Sequence, residues 1–217
     1  MNRCVRSLSL ALLLAAGLGG CKFVETSELV AAAEAAKAAK ARPQTSAGEW
    51  TGRVLPHMRQ TAVPIATLAA ALAGDGPEGA GMRYGHREGG EGTPFSYVVR
   101  VEGTIVEANT QSRAATAGVD TDGDGAADAT LQLGPVIRGT AIRDVLPFVS
   151  FTDFENQIEF ARIGKALNQE AYDTVLERLP REALVGASVT AIGAVTVRKA
   201  DETLLVTPVE ITIEAAS

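Results

Sequence analysis

The clearest structural pattern of the chain is VRVEGTI at residues 99–105. Val99, Val101 and Ile105 alternate there with polar residues, and a period of two is typical of a strand with one buried face. Before about residue 94 the apolar residues instead recur every three or four positions, which indicates helices. The sequence therefore predicts a helical part followed by a β-rich part.

Further strands are predicted downstream of this first one. They cover roughly 113–119, the alternating residues of 129–133, residues 189–197 and residues 209–213. In the last strand, Val209, Ile211 and Ile213 are expected to share the buried face.

An amphipathic helix is predicted between the third and fourth strands, from residue 160 to 179, where Pro180 ends it. Three strands, a helix and two strands is the order of elements in the OB barrel. We therefore predict an α+β fold, with a small N-terminal helical subdomain followed by a five-stranded OB-like β-barrel with one intervening helix.

The helical part covers residues 49–73, with Trp50 as a packing anchor and with Pro56 and Pro64 expected to split it into short helices. Residues 74–92 contain eight glycines and several charges. Such a composition predicts a mobile loop, in which His86 is expected to be solvated.

The N-terminus is typical of an export signal, with Arg3 and Arg6 before an uncharged apolar run over 8–18. The run ends in Leu-Gly-Gly-Cys21, which resembles the bacterial lipobox, so Cys21 is expected to carry the lipid. Residue 22 is Lys, which by resemblance to enterobacterial sorting rules favours the outer membrane, although inner and outer membrane both stay open. The predicted organisation is a signal peptide at 1–20, the lipidated cysteine and a helical stalk at 21–48, a helical subdomain with the Gly-rich loop at 49–92, and the barrel at 93–217.

Composition excludes several classes of function. The chain has 217 residues and a net charge of -6, which argues against nucleic acid as a partner. Two Cys and two His are too few for a disulfide framework or a zinc finger. With Cys21 capped by lipid, cysteine catalysis is excluded as well, and no other nucleophile motif is present, so we expect a non-enzymatic protein.

One loop has the residue types of a metal site. Residues 120–128 read DTDGDGAAD, which places carboxylates at alternating positions, and Ca²⁺ prefers such hard oxygen ligands. The loop resembles those that bind calcium between two strands in integrin-type propeller blades. A polar hairpin turn without metal is the alternative. The expected ligands of a structural calcium ion are Asp120, Asp122, Asp124, the carbonyl of Ala126, and Asp128.

The stretches 134–144, 146–148 and 151–160 contain more specified polar residues than a generic barrel needs. They closely resemble a family of predicted bacterial periplasmic lipoproteins that carry a domain of unknown function, and the resemblance extends from the lipobox to near the C-terminus. It implies a small helical part with an OB-like barrel. Because genes of that family often lie beside ribose-type sugar ABC transporters, it also implies an accessory role in sugar uptake.

OB barrels bind oligosaccharides or peptides on one face, and planar polar groups suit sugars. The candidate ligand-binding residues are Arg138, Thr140, Arg143, Asp144, Asp153, Asn156 and Gln157. The alternative is a hydrogen-bond network that fixes the connection between barrel and helix. The sequence thus predicts a lipid-anchored, periplasm-facing accessory protein, or alternatively a structural envelope lipoprotein whose barrel calcium stabilises; the oligomeric state stays open.

Overall fold

The structure is a computed structural model that describes residues 47–215. The predicted signal peptide, Cys21 and the predicted stalk up to residue 46 lie outside the described residues. Within 47–215, no helix combines the length and the apolar character that crossing a membrane requires.

The described part begins with helices. The short helix Ala47–Glu49 (α1) passes through a π-helical turn, Trp50–Val54, into Leu55–Thr61 (α2). The two-residue strand Val63–Pro64 (β1) then leads into the long helix Ile65–Tyr84 (α3). The predicted break at Pro64 is confirmed, whereas Pro56 lies in the first turn of α2, where proline is tolerated because that N–H needs no partner within the helix.

The predicted mobile loop at 74–92 is wrong for its first half. Helix α3 extends through this half, and a short strand, Gly85–His86 (β2), follows it. The helix is interrupted at Gly76, which has φ of 69°, and Pro77 begins the second helical part.

Close packing explains two of the glycines in this stretch, Gly81 and Gly85. A Cβ atom at Gly81 would lie 2.2 Å from a ring atom of Phe95, and one at Gly85 would lie 3.0 Å from the rings of Phe95 and Tyr97. These two glycines therefore let the end of α3 and β2 lie directly against aromatic rings of the sheet.

Five longer strands follow. They are β3 (Phe95–Asn109), β4 (Thr116–Asp120), β5 (Ala129–Gln132), β6 (Ser188–Val197) and β7 (Leu204–Glu214). Each pairs with two of the others in the order β3-β4-β5-β7-β6, and β6 pairs again with β3, so the pairings form a ring. All these pairs are antiparallel except β5 with β7, and β1 and β2 add to β3 to complete a seven-stranded sheet. All five predicted strands are confirmed in position.

The connection from β5 to β6 is helical. It contains Ala141–Asp144 (α4), the 3-10 turn Phe151–Asp153, helix Gln157–Ala171 (α5) and the π-helical turn Tyr172–Leu176. The predicted helix is confirmed, and it begins three residues earlier than residue 160 because Asn156 caps its first turn.

The apolar residues form two cores on opposite faces of the sheet. The first joins inward residues of the strands, such as Val99, Leu131 and Val195, to Leu68 of α3. The second lies outside the ring, where Trp50 and the helices pack on outward residues of β3, β6 and β7. The predicted role of Trp50 as a packing anchor is confirmed, since it is buried in this second core.

The prediction that Val209 shares a face with Ile211 and Ile213 is wrong. Ile211 and Ile213 pack against the inner core, but Val209 belongs to the outer one. Ile192 pairs with Glu210 and Gly193 with Pro208, so Val209 is the extra residue of a β-bulge. A bulge shifts the alternation of faces by one residue, and the period-two pattern cannot show this.

Candidate functional site

The loop between β4 and β5 brings three of the predicted calcium ligands together. Carboxylate oxygens of Asp120, Asp122 and Asp124 all lie within 4.8 Å of one another. Asp120 accepts hydrogen bonds from the N–H groups of Gly123 at 2.7 Å and Gly125 at 2.8 Å. These backbone donors, led by Gly123, hold the pKa of Asp120 below its usual value.

The other two predicted ligands have internal hydrogen bonds. One oxygen of Asp128 accepts from the N–H of Thr121 at 2.7 Å and from its hydroxyl at 2.6 Å, which ties the two ends of the loop together. The N–H of Ala126 donates to Asp124 at 2.7 Å. The loop is therefore ordered by its own backbone, with three clustered carboxylates on one side.

Three of the seven predicted ligand-binding residues form one network beside α4. Arg143 pairs with Asp144 through a 2.8 Å hydrogen bond from Nε, and the Thr140 hydroxyl donates to the other Asp144 oxygen at 2.6 Å. The same guanidinium donates to the carbonyl of Phe160 at 3.1 Å and lies 3.7 Å above its ring centroid. This network joins the α4 turn to α5.

The remaining four do not join that network. Asn156 caps α5, and Asp153 caps the 3-10 turn together with Ser150. Arg138 is held through its backbone, which exchanges two hydrogen bonds with the buried Gln132, while Arg138 and Gln157 are exposed. Five of the seven side chains therefore hold turns or helix ends of this stretch: Thr140, Arg143, Asp144, Asp153 and Asn156.

A buried acceptor nearby was not predicted. The Asn168 Nδ2 group donates to the carbonyl of Gly139 at 2.9 Å, and its Oδ1 atom has no hydrogen-bond partner among the described residues. Nothing in the local pattern of α5 distinguishes this amide from a solvent-facing one.

A partly exposed aromatic cluster of Phe151, Phe154 and Phe160 lies next to the network. We call these three residues, together with the exposed Ile158 in the first turn of α5, the Phe151 surface. Phe160 contacts both other rings, with centroids 5.6 and 5.5 Å apart. Phe151 is 41% exposed and Ile158 is 66% exposed. Apolar side chains are thus presented to solvent on a rigid support.

Both histidines of the chain line one small cavity of about 160 Å³, together with Tyr84, Ser96 and Val98. His57 Nε2 lies 3.0 Å from the carbonyl oxygen of Val145, and His86 Nδ1 lies 2.8 Å from that of Asp144. The expectation that His86 is a solvated loop residue is wrong, because β2 fixes it against β3 and its side chain is partly buried. The sequence holds no signal for this pair, since its members lie 29 positions apart on a helix and a strand.

Comparison with solved structures supports the fold. The chain is similar to an OB-fold protein from Thermotoga maritima MSB8, with a TM-score of 0.60 and 22% identity over 79% of this chain and 98% of that one. At this level of identity the likeness concerns the fold alone. No curated protein sequence matches the chain.

A family model described as predicted periplasmic lipoprotein (DUF2291) matches residues 11–212. The match covers most of the chain, and such proteins are lipid-anchored in the bacterial cell envelope. The chain therefore belongs to this family of predicted periplasmic lipoproteins.

Proposed function

We propose that this protein is a lipid-anchored, periplasm-facing accessory protein that works through contact with another protein and without catalysis. Cys21 is the proposed lipid attachment site, and residues 21–48 are the proposed link to the folded part. The resemblance described above favours components of a sugar ABC transport system as the partner.

The Phe151 surface carries this proposal. It combines an aromatic cluster with two large apolar side chains, Phe151 and Ile158, that are exposed to solvent, and exposed apolar surface of this kind is typical of sites of interaction. Aromatic residues and arginine are enriched in such interfaces, and Arg143 holds the central ring of Phe160 in place. A partner that covers this surface would remove Phe151 and Ile158 from water without rearranging the domain.

The ring of strand pairings and the likeness to an OB-fold structure support describing the sheet as a five-stranded OB-like barrel preceded by a helical subdomain. Within it, Arg138 and Gln157 remain the exposed candidates for a sugar or peptide ligand. Thr140, Arg143 and Asp144 are partly buried and bonded to one another, and instead fit the supporting network.

The test is affinity purification of the full-length protein from native membranes, with detection of the transporter's permease and sugar-binding subunits. We expect these subunits to co-purify with the wild type, and Phe151→Ser with Ile158→Ser to abolish this. The matched control is Val185→Ser, because Val185 is 60% exposed and lies outside the Phe151 surface. Absence of the subunits, or their unchanged recovery with the double variant, would contradict the proposal.

A second proposed function is that of a structural envelope lipoprotein whose sheet is stabilised by calcium. The three clustered carboxylates between β4 and β5 favour it. A ligand at about 100 times its dissociation constant stabilises a fold by about 2.7 kcal/mol. The melting temperature of the full-length wild-type protein should then be higher in calcium than in chelator, and that of Asp122→Asn should be the same in both. Equal melting temperatures of the wild type in the two conditions would exclude this function.

A further inference from the structure

We propose that the cavity between α2, β2 and β3 binds a divalent transition-metal ion, for which Zn²⁺ is the probe, through ring nitrogens of His57 and His86. The inference is independent of the protein contact proposed above.

The hydrogen bonds of the two rings fix which nitrogen carries the proton. A carbonyl oxygen only accepts, so His57 must donate from Nε2 to Val145 and His86 from Nδ1 to Asp144. A neutral imidazole has one N–H and one lone pair. Nδ1 of His57 and Nε2 of His86 are therefore left with lone pairs, and such nitrogens are preferred ligands of Zn²⁺, Ni²⁺ and Cu²⁺.

The two rings bond to neighbouring backbone carbonyls. Their acceptors are the carbonyls of consecutive residues at the end of α4, and both rings line the same cavity. A histidine that binds metal typically donates its other N–H to a carbonyl or a carboxylate, which orients the ring. Both histidines here have that arrangement.

Neighbouring contacts keep each ring in position. The His57 ring meets Phe148 edge to face, with centroids 5.8 Å apart. The backbone of His86 pairs in the sheet with Ser96 of β3. Two imidazoles fixed in this way form part of a metal site before the metal arrives, and water completes the coordination.

The cavity can hold the ion with its water ligands. Its volume of about 160 Å³ is several times what one water requires. The hydroxyl of Ser96 is bonded to that of Thr196 at 2.7 Å, so it is not an unsatisfied group that calls for another partner. The groups in the cavity that would bind the ion are therefore His57 Nδ1 and His86 Nε2, the ring nitrogens that do not bond to the two carbonyls.

The experiment is calorimetric titration of Zn²⁺ into the full-length protein, purified in detergent without a histidine tag. We expect one equivalent to bind. His57→Gln and His86→Asn each keep an N–H for the carbonyl and remove the ligand nitrogen, so each should weaken binding about 10-fold or more. Asp122→Asn, in the acidic loop, is the control and should leave Zn²⁺ affinity unchanged.

A second measurement needs only the wild type. The chain has two histidines, so their ring nitrogens are readily assigned by nitrogen-15 NMR. Zn²⁺ should shift Nδ1 of one ring and Nε2 of the other. Unshifted ring nitrogens, undiminished binding by the His57→Gln/His86→Asn double variant, or binding lost only with Asp122→Asn would each overturn the proposal and leave the histidines as supports for α4.

Discussion

Gly81 has no side chain beyond a hydrogen atom, and for this reason the second half of α3 can lie against the ring of Phe95. Any side chain there meets three ring atoms at 2.2 to 2.5 Å. Contacts of this kind are invisible in a sequence, where a glycine in a Gly-rich run simply indicates a turn.

We predict that Gly81→Ala destabilises the fold by about 1–3 kcal/mol, because the added methyl group overpacks the core. Gly74→Ala is the matched control. Gly74 is exposed in the same helix with nothing near its Cβ position, so alanine should stabilise there by up to about 1 kcal/mol. Urea unfolding of both variants checks this, and equal effects of the two would contradict the packing argument.

Tyr97 makes a contact whose strength depends on pH. Its buried hydroxyl donates to the carbonyl of Pro77 at 3.1 Å, and burial, helped by the charge of Glu78, raises its pKa to about 12. The unfolded value is about 10, so from pH 10 to 12 the folded state holds a proton that the unfolded state has lost. The stabilisation that Tyr97 contributes in this way is fully present below pH 10 and is lost as pH rises towards 12.

We therefore predict that this group lowers the free energy of unfolding by up to about 1.4 kcal/mol per pH unit between pH 10 and pH 12. Tyr97→Phe should remove that part of the slope, and Tyr172→Phe, at a partly exposed position, should retain it. Chemical denaturation at pH 9, 10 and 11 measures the difference, and identical slopes for the wild type and Tyr97→Phe would count against it.

At the scale of elements, the connection from β5 to α5 shows how polar residues can serve structure. The hydrogen-bond network of Thr140, Arg143 and Asp144 braces α4, and Asn156 accepts from two N–H groups of the first turn of α5, at 3.0 and 3.1 Å. Some of the side chains that the sequence suggests for binding a sugar therefore hold α4 in place or cap the first turn of α5.

We predict that Asn156→Ala lowers the free energy of unfolding by about 1 kcal/mol through loss of this cap. The neighbouring Gln157→Ala, at the exposed first residue of α5, should change it by less than about 0.5 kcal/mol. Thermal unfolding of the two variants compares them directly, and a neutral Asn156→Ala would show that the cap contributes little.

At the scale of the whole molecule, membership of a periplasmic lipoprotein family places the folded part beside a membrane. The two cysteines offer a direct test of how it is attached, since Cys4 lies within the predicted signal and Cys21 at its end.

We predict that Cys21→Ala abolishes incorporation of radiolabelled palmitate, because the thioether-linked lipid has no other attachment point. Cys4→Ala should label like the wild type. Labelling of growing cells followed by gel electrophoresis gives the result, and a labelled Cys21→Ala protein would exclude Cys21 as the anchor.

The sequence by itself determined the order of the strands and the helix between them. Alternation at 99–105 and the three-to-four spacing after residue 160 are local patterns that reflect which face of each element is buried. For the same reason the clustered carboxylates of the β4–β5 loop could be predicted, since they are neighbours along the chain.

Only the tertiary structure decided the features that depend on distant residues. Helix α3 continues through residues that the sequence predicts as a loop, and it packs at Gly81 against Phe95. The bulge at Val209 places that side chain in the outer core. The cavity with His57 and His86 likewise exists because α2, β2, β3 and the residues after α4 (Val145 and Pro147) come together. Packing between elements sets these positions, and a pattern read along one segment carries no information about the segment that it will contact.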